Sequence, residues 1–310
     1  MTTTKKRLFR LTLIATLVLG GAYAGVSWYL SSLIIEFPTR SLEQDRQSLA
    51  IENVAALGFP EPEEVSIAGD GVTLKGWLFR NPQGRSCGVV ASHGYSGTRY
   101  GALPYARLFF RRGCHVLVFD ARCHGESEGD FGTFGYHERH DLVRVVDHVA
   151  ATLGLERENI GLFGSSMGAA ISLQAAALMP EIAFVAGDSP YADLEVILRD
   201  RGEAMYGGII HVLYPGAIWV AELRAGIEFD EISVRKDARN LAMPVFLLHS
   251  ASDRFTPPDH SRRIHDAIAH DRKELHLTTW GAAHTHSLRT DPECYQALLD
   301  AFLDRHAPGF

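Results

Sequence analysis

Short apolar runs without polar alternation recur along the chain between residues 88 and 248. Strands that are buried on both faces of a sheet lose the alternation of apolar and polar residues. The runs therefore predict the central strands of a parallel sheet. These predicted strands are Gly88–Ser92, His115–Phe119, Ile160–Phe163, Phe184–Ala186 and Val245–Leu248.

A predicted hairpin precedes these strands. Val65–Ala68 and Val72–Phe79 flank Asp70-Gly71, a dipeptide that favours a tight turn. A last strand is predicted at Glu274–Thr279. Helical stretches separate the strands, namely Tyr100–Arg112, Glu138–Leu153, Met167–Met179, Asp259–His270 and Pro292–Arg305. An antiparallel start followed by alternating strands and helices predicts an α/β fold, with a mostly parallel sheet and helices on both faces.

The N-terminal region follows a different pattern. Lys5, Lys6, Arg7 and Arg10 precede the uncharged, mainly apolar run Leu11–Ile35. As a helix this run is about 37 Å long, which exceeds the roughly 30 Å core of a bilayer. We predict a basic cytoplasmic tail over residues 1–10 and a transmembrane anchor over residues 11–35. Because basic flanks stay inside, the rest of the chain is expected on the non-cytoplasmic side.

Two alternatives to a permanent anchor remain at this point. Ala22-Tyr23-Ala24 resembles the small-residue cleavage site of a secretory signal peptide. However, apolar residues continue to Ile35, an extension that a cleaved peptide does not need. The run is also compatible with a buried helix of a soluble protein.

The remaining chain divides by composition. Residues 36–62 are polar and predict a stalk with a short helix, and residues 63–310 predict one large domain. Within it, residues 191–241 interrupt the alternation of strands and helices. We predict that this stretch is a helical lid inserted between two core strands.

Composition excludes several functional classes. With 46% apolar and 22% charged residues the chain can bury a core, whereas its net charge of −7 disfavours a nucleic-acid partner. The fifteen histidines form no short-spaced cluster with cysteine, and no glycine-rich phosphate loop is found. The pattern therefore predicts neither a structural zinc site nor a phosphate-binding loop. Nothing in the pattern specifies an oligomeric state.

One motif carries candidate chemistry. Gly164-Ser165-Ser166-Met167-Gly168 fits G-x-S-x-G, in which the serine occupies a strained turn between a strand and a helix. Here the motif follows a predicted strand and precedes an alanine-rich predicted helix, which is the required setting. Ser166 is therefore the candidate nucleophile. The alternative is a Gly/Ser turn in a purely structural strand–helix unit.

A serine hydroxyl needs a base, and the base needs an orienting acid. Asp253 follows the strand at 245–248 and is the favoured acid, with Asp188 as its competitor or as a helix cap. His284 follows the last strand and is the favoured base. His286 lies two residues further on and is chemically equivalent in sequence.

Acyl transfer also needs donors for the developing oxyanion. One candidate is the backbone N–H of Met167, at the start of the helix after the nucleophile. The second is the backbone N–H of Tyr95, in the loop that follows the strand at 88–92.

Several motifs together resemble the α/β-hydrolase superfamily over residues 60–306. They are His93-Gly94-Tyr95, Asp120–Ser127, Thr133-Phe134-Gly135 with Glu138, the Ser166 turn, and the segments that carry Asp253 and His284. The sequence is most similar to the membrane-anchored branch and to serine aminopeptidase-like hydrolases. One departure is Cys123, where the superfamily usually has glycine.

This resemblance implies cleavage of carboxylic esters or amides without a metal or organic cofactor. We expect a small-molecule ester or lipid substrate, since an N-terminal helix would hold the enzyme at a membrane. A serine exopeptidase of the same fold is the alternative. A non-catalytic binding module is less compatible, since such proteins commonly lose a catalytic residue and none is missing here.

Cys87 and Cys114 each immediately precede a predicted core strand. Strands that are direct neighbours lie about 4.8 Å apart, so an exported domain would permit a disulfide between them. Because buried free cysteines are common, the favoured expectation is two free thiols.

Overall fold

The computed structural model describes residues 3–310. In this part of the chain eight strands form one sheet in the order β1-β2-β4-β3-β5-β6-β7-β8. β2 pairs antiparallel with β1 and with β4, and every other pair is parallel. The strands are β1 (Glu63–Ala68), β2 (Thr73–Phe79), β3 (Gly88–Ser92), β4 (His115–Phe119), β5 (Ile160–Ser165), β6 (Phe184–Asp188), β7 (Val245–Ser250) and β8 (Lys273–Thr278).

Helices connect the strands and precede the sheet. They are α1 (Thr3–Ile35), α2 (Leu42–Ser48), α3 (Arg99–Arg111), α4 (Glu138–Leu153), α5 (Met167–Ala176), α6 (Leu194–Tyr206), α7 (Ile210–Ala225), α8 (Val234–Asp237), α9 (Asp259–Ala267), α10 (Ser287–Thr290) and α11 (Pro292–His306). Short 3₁₀ turns lie at Ala55–Leu57, Arg157–Asn159, Gly207–Ile209, Phe229–Glu231 and Ala238–Asn240.

The predicted fold class is confirmed: the sheet is mostly parallel and helices alternate with its strands. The central strands lack alternation because both of their faces are covered. All residues of β5 are buried, and so are all residues of α5, which packs on β5 and β6. Two strands, β3 and β4, have the predicted bounds, and the ends of the others differ from the prediction by at most two residues, since hydrogen bonding rather than hydropathy sets them.

The chain forms two compact units. Residues 37–194 and 230–310 make the sheet unit. The sheet unit includes most of the segment predicted as a stalk, residues 36–62. The segment contains α2, as expected, but it packs on the sheet unit. The buried Asp45 carboxylate accepts hydrogen bonds from the Thr98 N–H at 2.8 Å and hydroxyl at 2.9 Å, and Phe59 belongs to the core. These two contacts give a polar segment a fixed place, which composition does not reveal.

The second unit consists of residues up to 36 together with 195–229. It therefore combines α1 with the central part of the predicted lid, which contains most of α6 and all of α7. Leu30, Ile210, Tyr214 and Ala217 form its buried apolar cluster. Two stretches are long and apolar enough to cross a membrane: Thr3–Ile35, with mean hydropathy 1.5, and Leu194–Ala225, with mean hydropathy 1.3.

Cys87 and Cys114 are joined by a disulfide, so the expectation of two free thiols was wrong. β3 and β4 are direct parallel neighbours in which Gly88 pairs with His115. The cysteines that precede these two residues face each other, with 4.9 Å between their Cα atoms. Sequence reasoning gave the proximity of the two strands but not their register, and the register decides whether the two sulfur atoms meet.

This disulfide should contribute measurably to stability. It closes a loop with a sequence separation of 27 residues. A loop of that size corresponds to about 3.5 kcal/mol of lost chain entropy in the unfolded state. We expect the double variant Cys87→Ala/Cys114→Ala to lose about that much free energy of unfolding, measured by urea denaturation in detergent.

The two free cysteines provide the control for this prediction. Cys123 and Cys294 are not bonded to each other or to another cysteine. The variants Cys123→Ala and Cys294→Ala should therefore each stay within about 1 kcal/mol of the wild type, as is usual for a substitution outside a disulfide. A double variant as stable as these controls would contradict the prediction.

Candidate active site

Ser166 lies on a sharp turn between β5 and α5. Its backbone dihedrals are φ 53° and ψ −118°, a strained conformation for a residue with a side chain. The flanking glycines are sterically required: a Cβ on Gly164 would overlap the backbone of Gly168, and one on Gly168 would overlap the backbone of His93. The turn thus holds the Ser166 hydroxyl at the carboxyl edge of the sheet.

Three predicted side chains meet at this edge. His284 Nε2 lies 2.7 Å from Ser166 Oγ, and His284 Nδ1 lies 2.6 Å from Asp253 Oδ2. Because an ionised carboxylate can only accept, Nδ1 carries a proton. In the neutral form of the ring Nε2 is then the free acceptor, and it is placed to take a proton from the Ser166 hydroxyl.

Asp253 is held as an ionised group. Its Oδ1 accepts the N–H groups of Phe255 at 2.8 Å and Thr256 at 3.0 Å. Burial would raise the pKa of Asp253, but hydrogen bonds from His249 and His284 outweigh it and lower that pKa well below the usual range. The side chain has no exposed surface, so its charge faces His284 without competition from water.

His249 is the residue that sequence reasoning missed. It belongs to β7, and its Nε2 lies 2.8 Å from the Thr256 carbonyl and 3.2 Å from Asp253 Oδ2. The carbonyl can only accept, so Nε2 is protonated, and Nδ1 lies 2.7 Å from the Ser261 hydroxyl. His249 is thus a second donor to Asp253. Its position four residues before Asp253, directly after the apolar run Val245–Leu248, was the available signal.

The competing candidates lie elsewhere. Asp188 is buried at the end of β6, where it accepts from the Ser189 hydroxyl at 2.8 Å and the Tyr105 hydroxyl at 3.3 Å. Burial raises the pKa of Asp188. His286 is exposed just before α10, and its backbone carbonyl accepts from Thr290. Neither side chain is hydrogen-bonded to Ser166 or His284.

The two predicted oxyanion donors flank the nucleophile. Met167 is the first residue of α5, and the first N–H groups of a helix have no partner within it. The Tyr95 loop packs against the same turn, since a Cβ on Gly94 would lie 3.5 Å from Ser166 Cβ. Within residues 3–310, the Tyr95 N–H donates to no backbone carbonyl.

A buried histidine fixes this loop. His93 Nε2 accepts the Ala121 N–H at 3.0 Å, and His93 Nδ1 lies 2.8 Å from the Gly94 carbonyl. Burial lowers the pKa of His93, so the ring remains neutral. His93 therefore positions the loop.

The other motif residues are structural. Asp120 accepts the Arg99 N–H at 2.6 Å and pairs with the Arg99 guanidinium at 2.7 Å, both side chains being fully buried. Glu138 accepts from the Gly135 N–H at 2.7 Å. Cys123 has φ 60°, a conformation that favours glycine.

Fold and site together define the class of protein: this is a hydrolase with the α/β-hydrolase fold, as the sequence predicted. Residues 40–212 match the X-Pro dipeptidyl-peptidase (S15) family, and the chain belongs to that family. It is also 30% identical to the Bacillus subtilis protein YqkD over 218 residues, which cover 70% of each chain.

Solved structures show the same fold. An esterase from Pyrococcus furiosus is 26% identical with a TM-score of 0.66, and the match covers 82% of this chain and 95% of that chain. The α/β hydrolase GrgF from Penicillium sp. sh18 is 20% identical, with a TM-score of 0.63 and coverage of 80% and 99%. An acylaminoacyl peptidase from Pyrococcus horikoshii is 17% identical, with a TM-score of 0.58 and coverage of 85% and 43%.

Proposed function

We propose that this protein is a membrane-anchored serine hydrolase that cleaves carboxylic esters through an acyl-enzyme. The observation that carries the proposal is the orientation of His284, whose two ring nitrogens lie 2.7 Å from Ser166 Oγ and 2.6 Å from Asp253 Oδ2. A hydroxyl, a neutral imidazole and an ionised carboxylate in this order are the components of nucleophilic acyl transfer.

The proposed reaction has two halves. Ser166 Oγ attacks the ester carbonyl while His284 Nε2 takes the hydroxyl proton, and the same proton then goes to the leaving alcohol. A water molecule next attacks the acyl-enzyme, again with His284 as base, and releases the acid and free Ser166. Asp253 remains ionised throughout and stabilises the imidazolium that forms in each half.

The oxyanion of each tetrahedral intermediate needs two donors. The N–H groups of Met167 and Tyr95 are proposed for this role, the first with the added dipole of α5. Losing one such donor typically costs about 3 kcal/mol of transition-state stabilisation. Because both donors belong to the backbone, changing the Tyr95 side chain is expected to have little effect on the stabilisation of the oxyanion.

Substrate choice is the finer part of the proposal. The Pyrococcus furiosus esterase supports esters, and so do the apolar side chains near the nucleophile: the Phe255 ring lies 4.8 Å from the His284 ring, and both Phe255 and Tyr95 are exposed. The family description supports the second candidate, an exopeptidase of the same fold. Lipid or acyl esters are preferred because of the proposed membrane anchor.

The proposed location is the non-cytoplasmic face of a membrane. α1 contains a long apolar stretch with no buried surface, preceded by basic residues, which suits a transmembrane anchor. The disulfide supports the same side, since disulfides persist in oxidising compartments. The alternative is that the apolar helix is a signal sequence.

A fluorophosphonate probe, which reacts with activated serines, tests the proposed nucleophile. The wild type and the variant Ser165→Ala should be labelled, whereas Ser166→Ala should not, because the hydroxyl that is hydrogen-bonded to His284 is that of Ser166. Ser165→Ala is the matched control, because it removes the same hydroxyl from the adjacent residue. Equal labelling of Ser166→Ala would remove Ser166 as nucleophile. A panel of p-nitrophenyl esters against aminoacyl-anilides then distinguishes an esterase from a peptidase.

A further inference from the structure

One face of α1 carries hydroxyl side chains within an otherwise apolar helix. Tyr23, Ser27 and Ser31 follow each other at intervals of four residues, which places them on one side of the helix. This side packs against α7: the Tyr23 hydroxyl donates to the Val212 carbonyl at 3.1 Å. Ser27 and Ser31 are buried. The polar stripe is therefore the docking face for a second helix.

The two helices approach closely at Gly216. A Cβ on Gly216 would overlap Ser27 Oγ and the Tyr23 hydroxyl, so only glycine allows this contact. Small residues at helix crossings are typical of helices that associate in a membrane. There the hydrophobic effect does not drive helices together, and close packing of their backbones stabilises the association instead.

Arg224 fixes the other end of α7. Its guanidinium donates to Ser31 Oγ at 2.7 Å and Ser32 Oγ at 2.8 Å, pairs with Glu36, and lies 4.3 Å from the centre of the Trp28 ring. These groups cluster at the C-terminal ends of both helices. The cluster is polar and aromatic, as expected for a membrane–water boundary.

These contacts set the direction of α7. Val212, near its start, is level with Tyr23, and Arg224, near its end, is level with Ser31 and Ser32. α7 thus runs parallel to the last third of α1. α6 precedes it through the turn Gly207–Ile209 and packs back on it, with the Arg199 guanidinium over the Tyr214 ring. α6 and α7 form a hairpin whose tip points toward the middle of α1.

The outer face of α7 is apolar. Val212, Trp219 and Leu223 lie on one face of α7 and are 61%, 64% and 71% exposed. Met205 and Ile209, at the tip, are exposed as well. The apolar stretch of α1 beside them is also uncovered. Exposed apolar side chains therefore lie on both of these adjoining helices, and large exposed apolar patches are rare on soluble monomers.

We propose that the α6–α7 hairpin inserts into the leaflet nearest Glu36, beside α1, with its tip and the Val212–Leu223 face in contact with acyl chains. Val212 is level with Tyr23, which precedes Trp28 by about one and a half turns, so Val212 lies about 8 Å below the aromatic boundary. This is the depth of an interfacial helix, and the tip, three to five residues before Val212, lies about 5 to 7 Å deeper, still within one leaflet of a core about 30 Å thick. The charge of Glu203, which lies near the tip and 3.7 Å from His211, requires such a shallow insertion.

This inference rests on the proposed membrane anchor and extends it to a second segment. It is tested with the full chain in phosphatidylcholine vesicles whose acyl chains are brominated, because bromine quenches nearby tryptophan fluorescence. Trp219→Phe, Trp28→Phe and Trp280→Phe are compared with the wild type, with circular dichroism as a check of folding. Trp280 belongs to the sheet unit and is the matched control.

We expect Trp219→Phe and Trp28→Phe each to remove part of the quenched emission, and Trp280→Phe to remove none. If only Trp28→Phe has an effect, the hairpin lies outside the bilayer and the inference is overturned while the anchor stands. If neither variant has an effect, the anchor itself fails. An unquenched Trp219 in a chain that cross-links to a second copy through Val212→Cys would show that another protomer covers this face, which also overturns the inference.

Discussion

Replacing His284 by alanine should lower kcat for an activated ester by about a millionfold. The Ser166 hydroxyl has one proton acceptor, His284 Nε2 at 2.7 Å, and without it the hydroxyl must attack unassisted. Loss of the base in a serine, histidine and aspartate set removes nearly all of the catalysis that the set provides, which is about that factor. Steady-state kinetics with a p-nitrophenyl ester measures the change.

His286 provides the matched control. It is the same residue type two positions away, it is exposed, and it is not hydrogen-bonded to Ser166 or Asp253. His286→Ala should keep kcat within about threefold of the wild type, because a surface substitution away from the site seldom changes stability by more than about 0.5 kcal/mol. A large loss in His286→Ala together with an active His284→Ala would reverse the assignment.

These two histidines illustrate what a sequence can give. The order of Ser166, Asp253 and His284, each after a strand, follows from apolar runs and turn residues. The choice between His284 and His286 depends on the loop after β8, where the Ser250 hydroxyl donates to the Ala282 carbonyl at 2.6 Å. That contact joins segments about thirty residues apart along the chain, so no local pattern contains it.

His249 was missed for a related reason. The apolar run that predicted β7 ended at Leu248, one residue before His249, whereas the strand itself extends to Ser250 and buries His249. Its function depends on the direction of one ring nitrogen toward Asp253 and the Thr256 carbonyl. The hydropathy of a sequence predicts which residues are buried. The direction of a hydrogen bond between His249 and the loop after β7 is visible only once that loop is folded.

The segments outside the sheet show the same limit. The lid prediction came from the absence of strands over residues 191–241, and the anchor prediction from the apolar run at residues 11–35. That residues 195–229 group with α1 follows from Gly216, Arg224 and the hydroxyl stripe of α1. None of these residues stands out in the sequence by itself. Their structural role depends on contacts between positions nearly two hundred residues apart, which no local pattern predicts.

Asp253→Asn should lower kcat by about ten thousandfold while the fold is retained. The Oδ1 atom of residue 253 accepts the N–H groups of Phe255 and Thr256, so the amide oxygen of asparagine takes that position. The amide NH₂ then points at His284 Nδ1 and donates to it. His284 must carry its proton on Nε2, and it can no longer accept from Ser166. A wrong tautomer of this kind costs about 10⁴ in kcat.

Two further variants locate this effect. Asp259→Asn, on an exposed position of α9, should leave kcat unchanged, since Asp259 pairs with Arg263 at the surface. His249→Phe removes one donor to Asp253 and should cost less than Asp253→Asn. Because His249 acts through Asp253, adding His249→Phe to Asp253→Asn should cause little further loss. If the two substitutions instead lowered kcat by factors that multiply in the double variant, His249 would act on a group other than Asp253. If Asp253→Asn kept kcat within tenfold of the wild type, the orienting role would be reassigned to Asp188.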